Sequence, residues 1–364
     1  MNICVIATAS RESGALAIYK QFINALKNEV GSDRYCIFID PSMPQEEING
    51  VEYVTYDTRG IRRVAFDAYG FKKKIESIGF EPEVIVSFQN VAVAYPKARQ
   101  IVYFHAIAPL ADKIWNPFIK EERNLFFYRS LYPIYVAHYL KPDMKVVVQA
   151  KFVKELFVKK FGFNSENVFV LHPDIKLPDR GLKSTYDFEE GTFNFIYPVT
   201  YIKYKNHDLL IEAVNALRRI SSEIFKHLKI HLTFNSKEAP DFVRKISRNG
   251  CENVFVLHGA INHTVLIDML ASSNGLLFPS TLETLGVPLL EAASLGLPVV
   301  VSDLPYSHET LGEYEGAVFI NSHDPQSWAF EIASLCNNTP NYKLYKSESN
   351  NSWVELFKLI RNER

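Results

Sequence analysis

The stretch that most constrains the fold is 275–303, which reads GLLFPSTLETLGVPLLEAASLGLPVVVSD. Its first apolar residues predict a short buried strand that ends near Phe278 at a proline and a serine. Residues 287–295 have helical spacing, and Gly296 and the following proline end that helix. A second buried strand is predicted at 298–302. A strand, a loop, a helix and a strand form a βαβ unit of a parallel sheet, in which ligands bind at the carboxyl ends of strands.

The loop inside this unit contains the candidate ligand-binding residues. Thr284, Leu285 and Gly286 stand just before the helix, where backbone N–H groups and the helix dipole favour an anion. Two acids bracket this anion site, Glu283 in the loop and Glu291 eight residues later. A carboxylate can accept two sugar hydroxyls in a defined geometry, so we expect a ligand with both phosphate and hydroxyls, such as a nucleotide sugar. The alternative is that Glu291 is a solvated helix residue.

The longer pattern around these residues resembles the signature of a known family. It reads Phe-Pro-Ser-x-x-Glu-x-x-Gly-x-Pro-x-x-Glu-Ala from Phe278, followed by Gly-x-Pro-Val-Val and Ser-Asp. This pattern is similar to that of family 4 of the retaining glycosyltransferases, in which the paired glutamates form an E-x7-E motif. The resemblance implies the GT-B architecture, an α/β fold with two Rossmann-like doubly wound domains facing across a cleft.

The order of the other elements favours the same fold class. Predicted strands alternate with helices through 1–175, which indicates a doubly wound N-terminal domain, on the acceptor side by resemblance. Polar residues and chain breakers mark 176–190 as the linker. Residues 191–345 are expected to form the C-terminal domain, which binds the nucleotide sugar. GT-B chains commonly return a terminal helix to the first domain, so the resemblance implies that 352–364 packs back on it.

Composition narrows the classes further. The chain has 364 residues, of which 47% are apolar and 22% charged, as is typical of globular proteins. A formal net charge of −1 gives no electrostatic case for a nucleic-acid partner. The four cysteines are far apart and suit a reducing cytoplasm. The apolar stretch 3–9 is too short for a signal peptide, and no apolar run has spanning length, so we expect a cytoplasmic protein.

Further donor-binding residues follow from the C-terminal half. Lys205 lies in a predicted strand-to-helix loop, where a lysine can pair with a diphosphate as a compact cation. The sequence Lys205-Asn206-His207 resembles the family's lysine motif. The family often has an arginine five residues before this lysine, whereas this chain has Thr200, a hydroxyl without charge. By resemblance, backbone groups of the loop Gly259, Ala260 and Ile261 hold the base, Glu291 binds the ribose, and Glu283 holds the sugar hydroxyls.

Three residues of the N-terminal half are candidates for contacts with the sugar or the acceptor. His105 follows a predicted strand, at the end where function concentrates in this fold class. A lone histidine is usually structural, but the resemblance implies that His105 reaches the donor sugar and joins Glu283 and Lys205 as a catalytic residue. Gly14, in the first strand-to-helix turn, is expected to let the domain approach the donor phosphate and the acceptor. Asn90 either lines the acceptor pocket or forms a turn.

The chain contains no Asp-x-Asp sequence. That motif is the usual bridge between a metal and the diphosphate in the other glycosyltransferase architecture. We therefore expect a site that needs no metal and no other cofactor, with the nucleotide sugar as co-substrate. Lys205 and the N–H groups at the helix end would stabilise the leaving diphosphate, whose charge is greatest in the transition state.

Two stretches combine basic and aromatic residues, 59–74 and 118–139. One interpretation is a surface that meets anionic lipid headgroups, which would make the protein peripheral at the inner face of the membrane. The other is an amphipathic helix with a buried aromatic face and a solvated basic face, and we favour it for the aromatic residues.

These observations predict an enzyme that moves a sugar from a nucleotide-diphosphate donor to an acceptor hydroxyl, with retention of the anomeric configuration. The acceptor would be a glycan or a lipid-linked molecule in the synthesis of a cell-surface polysaccharide or glycoconjugate. Two alternatives stay open. One is a non-catalytic nucleotide-sugar-binding protein on the same scaffold, which the absence of an arginine at Thr200 favours, and the other is a GT-B sugar-nucleotide epimerase.

Overall fold

The structure is a computed structural model that describes residues 1–11, 13–178, 184–338, 340–345 and 352–363. It divides into two compact units, Met1–Asp174 with Ser349–Arg364, and Ile175–Glu348. Each unit contains one parallel sheet with helices between the strands, which confirms the predicted fold class. Residues 179–183, in the expected linker, lie outside the described residues.

The first unit is built on seven strands. They are β1 (Asn2–Ile6), β2 (Arg34–Ile39), β3 (Val51–Thr55), β4 (Val84–Ser87), β5 (Arg99–Tyr103), β6 (Lys145–Val148) and β7 (Val168–Val170). Their order across the sheet is β3-β2-β1-β4-β5-β6-β7, with every pairing parallel. All four residues of β4 are buried, as expected when helices cover both faces of a sheet.

The helices of this unit include two departures from the predicted elements. They are α1 (Ser13–Glu29), α2 (Arg62–Ala65), α3 (Phe71–Ser77), α4 (Lys120–Ser130), α5 (Tyr132–Tyr139) and α6 (Lys151–Phe161). A π-helical segment, Phe66–Gly70, joins α2 to α3. The stretch 118–139, interpreted above as an amphipathic helix, contains two helices, because the helix is interrupted at Leu131. Pro133 has no N–H to continue the helical hydrogen bonds across that point.

The C-terminal helix, α14 (Ser352–Arg361), belongs to the first unit. Leu356, Phe357 and Ile360 are fully buried in the core that α1 and the sheet form. Phe357 stacks on Phe22 of α1 with ring centroids 5.7 Å apart. Burial of three large apolar side chains is worth several kcal/mol, on the order of 1.5–3 kcal/mol each, so hydrophobic packing holds this helix on the first unit.

The second unit is built on six strands. They are β8 (Phe193–Tyr197), β9 (Leu228–Leu232), β10 (Phe255–Leu257), β11 (Gly275–Phe278), β12 (Val299–Ser302) and β13 (Ala317–Ile320). Their order is β10-β9-β8-β11-β12-β13, again parallel throughout. Because β8 and β11 are neighbours, the loops that follow them emerge side by side at the carboxyl edge of the sheet.

Seven helices of the second unit connect these strands and complete its end. They are α7 (His207–Ile220), α8 (Ser222–His227), α9 (Pro240–Arg248), α10 (His263–Ser272), α11 (Val287–Ser294), α12 (Pro305–Leu311) and α13 (Pro325–Asn337). The strand, loop, helix and strand predicted within 275–303 are present as β11, α11 and β12. Asp324 caps α13, since its side chain accepts hydrogen bonds from the amides of Gln326 and Ser327.

Candidate active site

The loop between β11 and α11 leads into the N-terminus of the helix. Gly286 caps α11 with φ of 68°, a left-handed conformation that favours glycine. A Cβ at this position would lie 2.9 Å from Cδ1 of Leu289. Thr310 holds the loop, since its hydroxyl donates to the carbonyl of Leu285 at 2.5 Å. Within the described part of the chain, the amides of residues 284–286 donate to no protein acceptor, so they remain available to a ligand.

Lys205 and Glu283, predicted from separate motifs, form an ion pair. Nζ of Lys205 lies 2.5 Å from Oε1 of Glu283, and each side chain is 12% exposed. The two loops are tied together, because the amide and the hydroxyl of Thr281 both donate to the carbonyl of Tyr204, at 2.8 and 2.9 Å. The ring of Tyr204 lies 5.4 Å from Nζ of Lys205, as in a cation–π contact. The pair therefore places a cation and an acid together beside the open helix end.

Two tyrosines reinforce this arrangement and remain neutral. The hydroxyl of Tyr197 donates to the carbonyl of Lys205 at 2.6 Å, which fixes the backbone from which the lysine extends. Burial, with a contribution from the nearby Glu283 carboxylate, raises the pKa of Tyr204 to about 12. Neither tyrosine was among the predicted site residues, because their roles depend on contacts between loops distant in sequence.

Glu291 is buried, so the solvated-helix alternative is wrong. The residue is 4% exposed, and its Oε1 lies 2.7 Å from Nε2 of His263. His263 is the first residue of α10, and it closely follows the loop predicted to hold the base. The prediction missed it, since Glu291 and His263 are 28 positions apart and no sequence spacing indicates their contact.

The loop predicted to hold the base has a defined backbone. Gly259 adopts φ of 73°, and its amide donates to the carbonyl of Phe234 at 3.1 Å. Ala260 is exposed and Ile261 is half-buried. Asn262 then caps α10, because its side chain accepts from the amide of Thr264 at 2.9 Å. The structure thus places residues 259–261 next to the helix whose first residue contacts Glu291.

Thr200 lies in the loop after β8 and is exposed. It supplies no charge in place of the family's arginine. The neighbouring cation, Lys203, lies 2.8 Å from Oδ2 of Asp208, so an acid of α7 engages it. Lys205 is therefore the lysine that this loop directs to the open end of α11.

In the first unit, the structure brings Asn90 and His105 together. Asn90 has φ of 63°, and its Oδ1 accepts from the amides of His105 and Ala106 at 2.7 and 3.0 Å. Burial, together with the charge of Arg63, lowers the pKa of His105 to about 4, so the imidazole is neutral at physiological pH. Gly14 lies exposed in the first turn of α1, and a Cβ added there would meet no surrounding atom within 4 Å.

A buried polar network that the prediction missed supports Asn90. The carbonyl of Gln89 accepts from Nη2 of Arg63 at 3.0 Å and from the hydroxyl of Tyr132 at 3.2 Å. Arg63 also pairs with Asp67 at 2.6 Å, and Tyr135 donates to the same carboxylate at 2.5 Å. A turn thus held by an arginine and a tyrosine keeps Gln89 and Asn90 fixed at the end of β4.

Three polar atoms near these strand ends are buried with no hydrogen-bond partner among the described residues. They are Oγ of Ser10, Nε2 of Gln89 and Nδ1 of His105. An unsatisfied buried polar group costs about 1–3 kcal/mol, so such groups usually serve a ligand or water. The carboxyl ends of β1, β4 and β5 therefore offer neutral donors and acceptors for hydroxyl groups.

The aromatic residues of α4 and the loop before it are largely exposed, which corrects the expectation of a buried aromatic face. Phe118 is 90% exposed, and Phe127 and Tyr128 are about half exposed. In the other basic stretch, Phe66 and Phe71 are buried in the core. We define the α4–α5 surface by its exposed apolar side chains, Phe118, Ile119, Phe127, Leu131 and Ile134.

In the described ranges, no helix combines the length and the apolarity needed to cross a membrane. Among these same residues, no group of three or more histidine, cysteine, aspartate or glutamate side chains is placed to hold a metal ion.

Comparison with known proteins identifies the class. Residues 182–352 match the family model described as glycosyl transferases group 1. The fold is that of Anabaena HepE bound to UDP-glucose, with a TM-score of 0.65 at 13% identity over 99% of this chain and 95% of that one. The chain therefore has the GT-B glycosyltransferase fold. The segment 182–352, which is similar to group 1 glycosyl transferases, lies largely in the second unit.

Two sequence relatives agree with this class. The O-antigen chain mannosyltransferase RfbU of Salmonella typhimurium is 33% identical over 84 residues, which is 23% of each chain. An uncharacterized glycosyltransferase, 335, of Sulfolobus islandicus rod-shaped virus 1 is 25% identical over 244 residues, which is 61% of this chain and 68% of the relative. The aligned segment thus spans less than a quarter of the mannosyltransferase.

Proposed function

We propose that the protein transfers a sugar from a nucleotide-diphosphate donor to an acceptor hydroxyl, with retention of the anomeric configuration. The observation that carries the proposal is the pair of Lys205 and Glu283 beside the open N-terminus of α11. At the carboxyl edge of this sheet, a cation and three free amides suit the diphosphate of a nucleotide sugar, and a carboxylate suits its sugar. The diphosphate needs positive charge, and the sugar hydroxyls need acceptors.

In this mechanism, binding of the donor replaces the contact between Lys205 and Glu283 with contacts to the donor. Lys205 turns from Glu283 to the diphosphate, and Glu283 then accepts the sugar hydroxyls. The bond between the anomeric carbon and the diphosphate oxygen breaks, with both electrons leaving on the diphosphate. The acceptor hydroxyl bonds to the same carbon, and its proton passes to the released diphosphate. Lys205 and the amides of residues 284–286 stabilise the charge that grows on the leaving group, which lowers the barrier.

The remaining predicted residues bind the nucleoside and sugar of the donor, and the acceptor. Glu291 accepts the ribose hydroxyls, and the backbone of residues 259–261 holds the base. In the first unit, His105 contacts the donor sugar as a neutral imidazole, and Asn90 and Gly14 line the acceptor side. The unpartnered atoms of Ser10, Gln89 and His105 support an acceptor rich in hydroxyls, as a glycan or a lipid-linked sugar would be.

The proposed pathway is the synthesis of a cell-surface polysaccharide or glycoconjugate. The likeness to the O-antigen chain mannosyltransferase of Salmonella typhimurium supports it. We also propose that no metal ion takes part, because Lys205 and the helix end supply the positive charge. Turnover should persist in a chelator, and a complete loss that Mn²⁺ restores would contradict this assignment.

A panel of UDP-, GDP-, ADP- and dTDP-sugars tests the proposal. A matched donor should raise the unfolding temperature in proportion to its affinity. Release of the nucleoside diphosphate is then measured with and without acceptor extracts. Release with transfer to the acceptor is the expected result. Donor binding without any release would favour the non-catalytic binding protein, for which the uncharged Thr200 is the supporting feature.

The α4–α5 surface supports a peripheral contact with an anionic membrane. Exposed apolar side chains can enter the headgroup region, while basic side chains pair with lipid phosphates. Over 118–139, three basic residues stand against two acids: Lys120, Arg123 and Arg129 against Glu121 and Glu122. Such a contact would hold the protein where a lipid-linked acceptor is presented.

Flotation with phosphatidylglycerol and phosphatidylcholine vesicles tests this contact. We expect the protein to float with the anionic vesicles at low salt, and a double variant, Phe118→Ser with Ile134→Ser, to stay in the soluble fraction. Phe330→Ser is the matched control, because Phe330 is as exposed as Ile134 but lies in the second unit. Wild-type protein that remains soluble with anionic vesicles would overturn the proposal.

A further inference from the structure

The chemistry of the two groups determines which one donates the hydrogen bond between His263 and Glu291. An ionised carboxylate accepts hydrogen bonds and donates none, so Nε2 of His263 carries the hydrogen in this 2.7 Å contact. The side chain of Glu291 is 6% exposed, whereas that of His263 is 65% exposed. The carboxylate is thus held from the side of solvent by a ring that is itself accessible.

This contact fixes the torsion of a carboxylate that would otherwise rotate. A glutamate side chain has three rotatable bonds, and freezing them costs free energy when a ligand binds. The helix backbone fixes Cα of Glu291, and His263 fixes Oε1 at the other end. With Oε1 engaged, the second oxygen and the remaining lone pairs of the carboxylate have a set orientation towards a ligand.

The position of His263 along the chain connects this carboxylate to the loop at 259–261. Asn262 caps α10 through its contact with the amide of Thr264, so the first turn of that helix is rigid. His263 extends from that turn, two residues after the loop. One short segment therefore positions both the loop proposed to hold the base and the acid proposed to hold the ribose.

We propose that His263 is a positioning residue that orients Glu291 to read the ribose of the donor, and that the protein consequently selects ribonucleoside over 2′-deoxyribonucleoside diphosphates. This inference rests on the proposed function, in which Glu291 accepts the ribose hydroxyls. A fixed carboxylate rejects a ligand that lacks the matching hydroxyl, because the buried oxygen then loses a partner. A freely rotating carboxylate discriminates less.

Calorimetric titration with UDP, GDP and ADP, each beside its 2′-deoxy counterpart, tests the inference. We expect wild-type protein to prefer the ribonucleotide of at least one pair. The variant His263→Ala should bind that ribonucleotide about 10-fold more weakly while its affinity for the deoxy form changes little, as loss of a hydrogen bond to a charged group implies. The ratio of the two affinities should therefore fall.

Conservative variants separate this role from a structural one. A glutamine at this position would place an amide N–H near the site of Nε2, so His263→Gln should restore much of the preference, whereas the shorter His263→Asn should not. Combining His263→Ala with Glu291→Gln should weaken ribonucleotide binding no further than Glu291→Gln alone. His227→Ala is the matched control, because His227 also pairs with a glutamate, Glu223, but both are exposed on α8.

The outcomes distinguish this inference from the proposed function. An unchanged affinity ratio in His263→Ala, or an equal loss for both forms of the nucleotide, would overturn the role of His263 while leaving nucleotide binding intact. Wild-type protein that shows no preference for the ribonucleotide in any pair would also overturn the inference, whereas failure to bind any donor of the thermal panel, dTDP-sugars included, would overturn the proposed function.

Discussion

The two units have the same kind of sheet but different chemistry at the carboxyl ends of their strands. In the second unit, Lys205 forms an ion pair there with Glu283, and His263 contacts the carboxylate of Glu291. At the ends of β1, β4 and β5 in the first unit, the comparable positions hold neutral groups whose buried polar atoms lack partners among the described residues. Under the proposed function, the second unit would bind the charged donor, and the ends of β1, β4 and β5 in the first unit would bind hydroxyl groups of the acceptor.

This difference indicates how a GT-B chain can divide recognition. A diphosphate is common to nucleotide sugars, so a cation beside a helix end serves all of them. Lys205 and Glu283 also stabilise each other, because a buried charge without a partner is costly. A buried neutral group without a partner costs less free energy than a buried charge, so it can stay unpaired until an acceptor binds. The following predictions test whether charge in one unit and neutral polar groups in the other have these separate roles.

The largest effect should follow from Lys205→Ala. Removing the cation takes away stabilisation of the leaving diphosphate, and we expect turnover to fall roughly 10²–10³-fold, the range seen when one transition-state donor is lost. Steady-state kinetics with the donor found in the thermal panel would measure this. Lys203→Ala is the control, since Lys203 occupies the same loop but pairs with Asp208. Equal losses in both variants, or near-normal turnover in Lys205→Ala, would show that the charged site is misplaced.

A smaller effect is expected from Gly286→Ala, which distorts the anion-binding turn without removing charge. Its φ of 68° and the 2.9 Å approach to Leu289 strain any Cβ, at a cost of about 1–3 kcal/mol. We expect donor affinity to fall roughly tenfold, because the amides before α11 move. Gly162→Ala in the first unit is the control. Its φ is 60° but its Cβ would meet nothing within 4 Å, so it should lower stability slightly and leave donor affinity unchanged.

Should both glycine variants weaken the donor equally, the loss would reflect general destabilisation rather than the turn at α11. Unfolding temperatures measured beside the affinities resolve the two cases. Gly286 and Gly162 have similar φ angles but lie in different units, so comparing the two variants tests the difference between the units directly.

The first unit can be tested through Asn90, whose side chain serves two backbone amides. Asn90→Ala leaves the amides of His105 and Ala106 without their acceptor and places alanine at φ of 63°, so stability should fall by about 1–3 kcal/mol. Asn90→Gly accepts the backbone conformation and should lose less. We expect the acceptor KM to rise in both variants, while the donor KM stays within about twofold. A rise in donor KM of the same size would contradict a separate acceptor role for the first unit.

Much of the fold could be predicted from local patterns. The unit β11–α11–β12 matches the predicted elements, and the helix ends at Ser294, one residue before the predicted end. Apolar runs, glycine and proline act over a few residues, so they specify such elements locally. The order of strands across each sheet depends on tertiary packing, which local periodicity does not record.

The site shows the same division. The sequence motifs indicated Glu283, Glu291 and Lys205, because each lies in a recognisable loop or helix end. The partners were not predictable: His263 meets Glu291 across two helices, and Arg63 meets the carbonyl of Gln89 across 26 positions. Hydrogen bonds between distant segments follow from the three-dimensional arrangement, so a single sequence without an observed fold gives no signal for them.

The exposure of the α4–α5 surface could not be predicted for a related reason. An aromatic residue in a helix is compatible with a buried face or an exposed one, and the choice depends on which neighbour packs against it. The core of the first unit takes Phe66 and Phe71 but leaves Phe118 exposed.

The mildest test uses acid, because the second unit, like the first with His105, contains buried histidines whose pKa is lowered. In the second unit, burial lowers the pKa of His207 to about 3 and that of His231 to about 4. The unfolded chain protonates these groups near pH 6.5, so between pH 6.5 and about 4 it binds more protons than the folded chain. Stability from this source is complete above pH 6.5 and declines as the pH falls through that window.

The variant His207→Phe should reduce this acid sensitivity. His207 packs among Tyr197, Tyr201 and Phe234, and phenylalanine fills a similar volume without titrating. Between pH 7 and pH 5 the wild type should lose about 2 kcal/mol more unfolding free energy than the variant, from chemical denaturation at each pH. His227→Phe, at an exposed position, should leave the slope unchanged. An unaltered slope in His207→Phe would show that His207 titrates alike in the folded and unfolded chain.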